Sequence, residues 1–331
     1  DDDLKIRTRI HSHRWQEVLE DLFRGSRFDH IAAASQKLVE TTVVELIKKP
    51  IKKTDLHSLI LSGGVFMNVK ANYEVLKLPE VHQLFVMPSS GDESLPIGSC
   101  YYASLLHHKE SLRHIKPLSH LYFGPAYSSE YIEKTLKASE FEYKHYSDRI
   151  GLYVAQLLSK GHIVARFSER MEFGARALGN RSILADASDA DVVQTINRMI
   201  KRRDFWMPFA PSIMEEYAAK YIKYPELLQK IKPYFMTMSF ETTPLAEKDL
   251  KAAMHPADKT IRPQLVNKQT NPEYYHILHA YLQRTGRSGF LNTSFNIHGE
   301  PIVCTPVDAL HTLRESGLEY AALGNFLVHK K

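Results

Sequence analysis

The feature that most constrains the fold of this chain is a short apolar strand that runs directly into a glycine pair and a helix. Ser58–Leu61 is predicted to be the strand, Ser62–Gly64 the glycine loop and Val65–Leu76 the helix. The pattern then repeats, because the apolar run Gln83–Met87 is followed by a polar loop and by a predicted helix over Gly98–Leu106. Alternating strands and helices are typical of an α/β fold, in which sites form at the carboxyl ends of the strands. The sequence therefore predicts an α/β protein.

A second α/β unit is predicted in the rest of the chain. It comprises strands over 163–167 and 289–292 and helices over 129–139, 150–160, 189–200 and 306–316, the last with Thr305 as N-cap. Between the two units, residues 107–127 lose periodicity and contain Pro117 and Pro125, so an inter-domain linker is expected there. This linker divides the chain into predicted domains 1–115 and 116–331.

Prolines mark two further features. Apolar residues at helical spacing predict a helix from Phe28 to Ile47, and Pro50 is expected to end it. Residues 240–275 are polar and contain four prolines, so they are predicted to form a long surface loop. A loop of this length is more often functional than idle.

Composition and charge exclude several classes of protein. The net charge of +5 is too small and too evenly spread to indicate a nucleic-acid-binding protein, and it suits an enzyme of phosphate substrates equally well. Cys100 and Cys304 alone favour a reducing compartment over a disulfide framework or a Cys-type metal site. No apolar run is long enough to span a membrane, and the acidic start at Asp1–Asp3 is unlike a signal peptide. A cytoplasmic protein without a membrane partner is expected.

Two loops in the first unit are candidate binding sites. Gly63 and Gly64 follow a strand and precede a helix, with Asn68 one turn later, so they could admit a phosphate to the helix N-terminus. A tight turn that requires glycine for steric reasons is the alternative. Asp92 follows the next strand and is placed to hold a metal ion or to polarise a hydroxyl. An Asx-turn or a helix N-cap explains this aspartate equally well.

Three polar stretches in the second unit are also candidates. Arg170–Ser182 contains three arginines and two glycines, which make a poor core and a good polyanion site, although a solvated basic turn is the alternative. Lys201–Asp204 ends a predicted helix, where cations complement the dipole, but the aromatic residues that follow favour a pocket. Leu291–Asn296 offers hydroxyl and amide groups that could position a phosphate, or that simply form a hydrogen-bonded turn.

Taken together, these segments resemble the NodU/CmcH-type O-carbamoyltransferases, and the resemblance runs nearly end to end. Leu61–Asn72 and the Gly91-Asp92 loop look like the second half of the family's metal-dependent, actin-like ATPase-fold domain. The segments that look like the family's YrdC-like C-terminal domain are Arg170–Leu184, Lys201-x-Arg203, Arg262–Gln264 and Leu291–Thr305. The resemblance implies a partial actin-like domain followed by a YrdC-like α/β domain.

The resemblance also implies a reaction in two steps. Carbamoyl phosphate and ATP, with Mg²⁺, yield carbamoyl-adenylate in the YrdC-like domain. The actin-like domain, whose metal is typically iron, then transfers the carbamoyl group to a hydroxyl of a small acceptor such as a sugar or an antibiotic. Cations suit the first step because charge develops on the displaced pyrophosphate. A metal ion suits the second because a Lewis acid polarises a carbonyl or lowers the pKa of a hydroxyl.

Individual positions carry roles by this resemblance. Lys201, Arg203, Ser294 and Asn296 occupy the Lys-x-Arg and Ser-x-Asn catalytic positions. The expected metal ligand is Asp92. The expected nucleotide contacts are Gly63, Gly64, Asn68 and Asn292, together with Arg166, Arg176 and Arg181 as candidate phosphate contacts.

The sequence departs from the family pattern in ways that suggest rival functions. The family's histidine metal ligands precede the region that begins here, so a fragment or split subunit is expected, associating as a homodimer or with the missing N-terminal half. Met207 stands where the family usually has Arg. A nucleotide-binding subunit without catalysis is one alternative function. An RNA-binding module of the YrdC-like type is a less favoured one, because the chain shows no aromatic stacking platform.

Overall fold

The computed structural model describes residues 11–107, 116, 118–201 and 207–330. It contains a two-stranded sheet in the first part of the chain and an eight-stranded mixed sheet in the second, with helices against both. The predicted α/β class is confirmed.

The first part alternates helices with two strands. Its elements are α1 (Trp15–Phe23), α2 (Phe28–Thr54), β1 (Ser58–Leu61), α3 (Val69–Leu76), β2 (Gln83–Val86) and α4 (Leu95–His107). Both strands match the sequence prediction closely. The prediction that Pro50 ends the long helix is wrong, because α2 continues through Pro50 to Thr54. Proline removes one backbone donor but has a helical φ, and burial of Ile51 in the following turn holds the helix together.

The two strands form a parallel pair in which Leu59 lies opposite Leu84. Side chains alternate between the faces of a strand, and one face, with Leu61 and Val86, is buried in a core shared with α2 and α3. The helix predicted from Val65 begins only at Val69, after a short 3₁₀ turn.

The second part is built on the larger sheet. Its strands are β3 (Glu142–His145), β4 (Val164–Phe167), β5 (Arg181–Ala185), β6 (Ala210–Met214), β7 (Gln264–Val266), β8 (Gly289–Ser294), β9 (Tyr320–Leu323) and β10 (Phe326–His329). Their spatial order is β3-β10-β9-β4-β5-β8-β6-β7. The central strand β5 runs antiparallel to both β4 and β8, and all its residues are buried.

Helices cover this sheet. They are α5 (Ser129–Lys137), α6 (Ile150–Ser159), α7 (Asp191–Thr195), α8 (Ala218–Tyr221), α9 (Pro244–Asp249), α10 (Pro272–Thr285) and α11 (Pro306–Glu315). α6 and α10 share one apolar core with β4, β5 and β8. The predicted cap of α11 is confirmed, because the Thr305 hydroxyl accepts from the Asp308 N–H and the Asp308 carboxylate accepts from the Thr305 N–H.

The prediction of a long surface loop over residues 240–275 is wrong. This segment contains α9, β7 and the start of α10, and Phe240, Leu250 and Leu265 are buried. Two of its prolines, Pro244 and Pro272, occupy the first helical turn, where a missing backbone donor costs nothing.

Backbone and side-chain contacts join the two parts. The Leu84 N–H donates to the Lys230 carbonyl at 3.0 Å, and the Asn72 amide donates to the Thr237 carbonyl at 2.8 Å. The rings of Tyr73 and Phe240 pack together within one continuous core. The predicted boundary between residues 115 and 116 stays a prediction, since residues 108–115 and 117 lie outside the described part. No helix in the described ranges has the length and apolar character needed to cross a bilayer.

Candidate anion-binding site

A cavity of about 360 Å³ opens where the start of α3 meets the larger sheet. This volume is within the range typical of small-molecule sites. Four basic side chains line it, Lys70, Arg176, His255 and Arg262. Its polar walls are formed by Ser239, Thr260, Asn292, Thr293 and Ser294. A cavity lined by cations and by small hydroxyl and amide groups favours an anionic ligand.

Among the side chains that line this cavity, Arg176 differs in its hydrogen bonding. Its guanidinium has no hydrogen-bond or ion-pair partner among the described residues, and burial lowers its pKa. A guanidinium carries five N–H donors in a fork that matches phosphate or carboxylate oxygens. A half-buried arginine without a partner therefore marks the place where an anion would bind.

The loop that presents Arg176 is organised by a buried carboxylate. The Glu172 Oε1 atom accepts the backbone N–H groups of Leu178 and Asn180, both at 2.7 Å, and that of Arg181 at 3.3 Å. Gly179 adopts a φ of +113°, and a Cβ atom there would lie 2.5 Å from the ring of Tyr274. The loop can thus turn around Glu172 only with glycine at this position.

The other two predicted phosphate contacts, Arg166 and Arg181, lie inside the protein. Arg166 donates to the Gly179 carbonyl and the Asn180 side chain and forms an ion pair with Glu273 at 2.8 Å. The Arg181 guanidinium is fully buried, stacks on a phenylalanine ring and donates to backbone carbonyls; burial lowers its pKa to about 10. The expectation that Arg170–Ser182 makes a poor core is wrong for residues 177–182, which are buried, because such hydrogen bonds make a buried arginine tolerable. Neither arginine lines the cavity.

The structure brings Lys201, Ser294 and Asn296 together. The Lys201 Nζ atom donates to the Ser294 carbonyl, to the Ser294 hydroxyl at 3.0 Å and to the Asn296 Oδ1 atom at 2.6 Å. The Ser294 hydroxyl also donates to Asn296 Oδ1, at 2.7 Å. Lys201 ends a π-helical segment, Ile196–Lys201, a local structure found frequently at functional sites. Arg203 lies outside the described residues.

Asn292 connects the cavity to a buried polar network. Its Nδ2 atom donates to the Ala177 carbonyl, to Ser212 and to Gln264, at 3.0–3.2 Å. Its Oδ1 atom is buried and has no partner among the described residues. Asn292 therefore fixes the cavity floor through three hydrogen bonds, and its role as a nucleotide contact stays a prediction.

The candidates in the first part of the chain lie outside this cavity. Gly63 and Gly64 are exposed and belong to the turn before α3, and Asn68 caps that helix by accepting the Ala71 N–H at 3.0 Å. Asp92 is exposed in a short 3₁₀ turn. No three histidine, cysteine or carboxylate side chains of the described ranges cluster so as to hold an ion, so the donor set around Asp92 does not fit a metal centre by itself.

Sequence reasoning missed Lys70 and His255 as cavity residues and did not place Arg262 at the site. Lys70 forms an ion pair with Asp258, and His255 lies 3.2 Å from the same carboxylate. Burial raises the pKa of Asp258, but hydrogen bonds from Lys70 and Thr260 outweigh it and hold the pKa at about 2. A lone lysine after a helix cap carries no pattern, so only the fold reveals its position.

Two models of one protein family match this chain. The family model described as "Carbamoyltransferase C-terminus" matches residues 155–330, and the model "Carbamoyltransferase N-terminus" matches residues 5–101. The chain belongs to the carbamoyltransferase family. The resemblance seen in the sequence is thereby confirmed, and the C-terminal match contains nearly all of the cavity wall.

Three relatives show the extent of the match. An uncharacterized protein of Methanocaldococcus jannaschii is 32% identical over 99% of this chain and 53% of its own length. Nodulation protein NolO of Bradyrhizobium diazoefficiens is 32% identical over 91% of the chain and 54% of its own length. The 3′-hydroxymethylcephem-O-carbamoyltransferase of Streptomyces clavuligerus is 26% identical over 82% of the chain and 49% of its own length. The chain thus spans about half the length of these relatives.

Two solved structures are more distant. A full-length HypF in its phosphate- and nucleotide-bound form matches 53% of this chain and 25% of its own with 23% identity and a TM-score of 0.38. Sua5 of P. abyssi in complex with L-threonine matches 55% of this chain and 48% of its own with 16% identity and a TM-score of 0.39. Scores this low leave the YrdC-like and actin-like assignments as expectations.

Proposed function

We propose that this chain uses ATP to activate a carbamoyl group, and that the family protein it represents passes the group to a hydroxyl of a small-molecule acceptor. The observation that carries the proposal is the Arg176 guanidinium, which faces a small cationic cavity without a partner among the described residues. Membership of the carbamoyltransferase family supplies the group to be transferred. The name of the Streptomyces relative supplies the precedent of an oxygen acceptor.

The activation step requires two anions to meet. Water first cleaves carbamoyl phosphate into carbamate and inorganic phosphate. A carbamate oxygen then attacks the α-phosphorus of ATP, and the bond from this phosphorus to the bridging oxygen of the β-phosphate breaks. Carbamoyl-adenylate and pyrophosphate are the products. Both reactants and the leaving group are negatively charged, so the step depends on cations that hold them close together.

The cavity offers groups for each requirement. Arg176 and Arg262 can each grip phosphate oxygens through a fork of donors, and Lys70 adds a third positive charge. Lys201 is buried, and its ammonium is held by Asn296 and by Ser294, which lines the cavity. We assign to Lys201 and Ser294 the stabilisation of charge on the transferring phosphoryl group, with Arg203 as the second cation of this motif.

In the transfer step the acceptor hydroxyl oxygen attacks the carbonyl carbon of carbamoyl-adenylate. The bond between this carbon and the phosphate oxygen breaks, AMP leaves, and the hydroxyl proton passes to solvent. We assign this step to the first part of the chain together with the region of the family that the chain does not contain. Asp92 contributes one carboxylate there, and Gly63, Gly64 and Asn68 form the neighbouring turn.

The proposal is tested by mass spectrometry of the products formed from the purified chain, Mg-ATP and carbamoyl phosphate. Carbamoyl-adenylate and pyrophosphate are expected, in amounts that depend on carbamoyl phosphate. The Lys201→Ala and Ser294→Ala variants should lose this product while keeping a cooperative thermal transition. Binding of ATP without any release of pyrophosphate would contradict the proposal and favour a nucleotide-binding subunit.

A further inference from the structure

His255 lies in a closed turn at the wall of the cavity. Its N–H donates to the Thr260 carbonyl at 2.8 Å, and its carbonyl accepts the Lys259 N–H at 3.0 Å. Within the turn, the Asp258 carboxylate accepts the Thr260 N–H at 3.0 Å and the Thr260 hydroxyl at 2.7 Å. Two backbone bonds and two side-chain bonds therefore fix the position of His255 relative to Asp258.

The two ring nitrogens of His255 have different surroundings. Nδ1 is buried and lies 3.2 Å from the Asp258 Oδ1 atom, without an aligned hydrogen bond to any described residue. Nε2 also has no partner in the part of the chain that the structure describes, and it is not among the buried atoms. Since the side chain lines the cavity and is 40% exposed, Nε2 is the ring nitrogen that a ligand can reach.

The carboxylate favours one tautomer of the ring. Although burial raises the pKa of Asp258, hydrogen bonds from Lys70 and Thr260 lower it to about 2, so the carboxylate is ionised at neutral pH. A carboxylate beside Nδ1 favours the proton on that atom and leaves the lone pair on Nε2. Bonds of this kind are often poorly aligned without substrate and tighten when it binds. His255 is thus arranged to accept a proton through Nε2.

Among the described residues of the cavity wall, His255 is the one side chain that can take up a proton near neutral pH. The other titratable groups of the wall are the cations Lys70, Arg176 and Arg262, and no described carboxylate lines the cavity. The first step of the proposed reaction needs a proton acceptor, because cleavage of carbamoyl phosphate by water releases one proton. General bases typically accelerate such steps about one hundred-fold or more.

A second cavity of about 360 Å³ adjoins the first at His255, Pro208 and Phe209, which line both. It supplies the one further carboxylate near the ring among the described lining residues, that of Glu247, which is exposed. The charged groups that line the two cavities or contact the ring are Lys70, Arg176, Glu247, Lys251, Asp258, Lys259 and Arg262. Asp258 is the member of this set within 4 Å of the ring nitrogens.

We propose that His255 is the general base for the cleavage of carbamoyl phosphate in this cavity. Nε2 accepts a proton from a water molecule while the water oxygen attacks phosphorus. The bond from phosphorus to the carbamoyl oxygen breaks, and hydrogen phosphate and carbamate are released beside a protonated His255. The Asp258 carboxylate stabilises the imidazolium that forms. The inference rests on the proposed function and assigns a residue to its first step, which precedes the attack on ATP.

The test follows the release of phosphate from carbamoyl phosphate by the purified chain, without ATP, over a range of pH. His255→Gln cannot accept a proton, so it should lower kcat about one hundred-fold and leave KM nearly unchanged. The kcat of the parent chain should fall on the acid side, because an imidazolium cannot accept a proton, and the variant should lack this dependence. His255→Ala should regain phosphate release when imidazole is added, which a purely structural role would not produce.

Two matched measurements separate the steps and the candidate bases. Ammonium carbamate supplies the product of the first step directly, so His255→Gln should form carbamoyl-adenylate from Mg-ATP and carbamate as the parent chain does. Glu247→Gln removes the carboxylate of the neighbouring cavity and should release phosphate at the parent rate. Both variants should keep a cooperative thermal transition.

Four results would overturn the inference. They are a parent chain that releases no phosphate, a His255→Gln variant that releases it at the parent rate, a raised KM with unchanged kcat, and equal losses with carbamoyl phosphate and with carbamate. A raised KM would make His255 an anion contact instead. Phosphate release that depends on His255, with no carbamoyl-adenylate from either donor, would contradict the activation of ATP while supporting the role of His255.

Discussion

Replacement of Arg176 by methionine should separate stability from anion binding. Methionine keeps the length of the aliphatic stem and removes a charge that is half-buried without a partner among the described residues. A fully buried unpaired ion costs several kcal/mol, so a partly exposed one costs about 1 kcal/mol. Arg176→Met should therefore stabilise the free protein by about 1 kcal/mol, which raises the melting temperature by roughly 2 °C in a chain of this size.

The same substitution should remove the response to anions. Pyrophosphate at one hundred times its Kd stabilises a protein by about 2.7 kcal/mol. Loss of one charge-assisted bidentate contact weakens binding by about 2.7 kcal/mol, or about one hundred-fold, so the stabilisation at that concentration falls to about 0.4 kcal/mol. A higher melting temperature without ligand and a much smaller shift with pyrophosphate are thus expected from the same variant.

Differential scanning fluorimetry with a pyrophosphate titration measures both effects. Arg198→Met is the matched control, because Arg198 is exposed on the π-helical segment and does not line the cavity; neither quantity should change. If Arg176→Met kept the full pyrophosphate shift, Arg176 would not bind the anion and the site assignment would be refuted. If it lowered the melting temperature instead, the guanidinium would have a structural role that its contacts do not show.

Three further predictions concern the architecture of the site. Glu172→Gln should destabilise the protein by about 1–3 kcal/mol in chemical denaturation, because a buried acceptor of three backbone N–H groups loses its charge; an unchanged midpoint would contradict this account. Gly179→Ala should cost about 2–4 kcal/mol, since its Cβ atom meets the ring of Tyr274 at a positive φ, and Gly161→Ala, which has a positive φ but open space, should cost less. Because the pKa of Asp258 is held at about 2, below its unfolded value, its contribution of about 1 kcal/mol should be present above pH 4 and should disappear as the pH falls towards 2. The difference in unfolding free energy between the parent and Asp258→Asn should shrink over that range.

Much of the fold could be predicted from the sequence, and the exceptions share a cause. β1, β2, β4 and α11 carry strong apolar patterns or caps and were predicted at nearly their observed positions. β5 begins with Arg181 and Ser182, and β6 contains Pro211, so neither has the composition of a central strand. Both are strands because neighbouring strands on each side satisfy their backbone and bury them. Strand propensity, which depends on the local sequence, does not include these contacts with neighbouring strands.

The candidate site likewise contains some features that the sequence predicted and others that only the structure reveals. Lys201 ends the π-helical segment and Ser294 ends β8, two residues before Asn296, and the structure brings the three residues together. Arg166, Arg176 and Arg181 looked equivalent in sequence, since all three lie in or near a stretch rich in arginine and glycine. What distinguishes them is the presence of acceptors: carbonyls surround Arg181, Glu273 meets Arg166, and Arg176 has neither among the described residues. Acceptors distant in sequence decide which arginine is left for a ligand.

The loop that carries Arg176 also depends on the first part of the chain. A Cβ atom at Gly174 would lie 2.5 Å from the Ser89 side chain, whose hydroxyl accepts the Ala175 N–H and donates to Glu93. Ser89 itself has a φ of +52° and lies three residues before Asp92. Because both backbones are held in uncommon conformations at this contact, a shift of either loop displaces the other. The turn that leads to Asp92 and the loop that presents Arg176 are therefore coupled through the contact of Ser89 with Gly174 and Ala175.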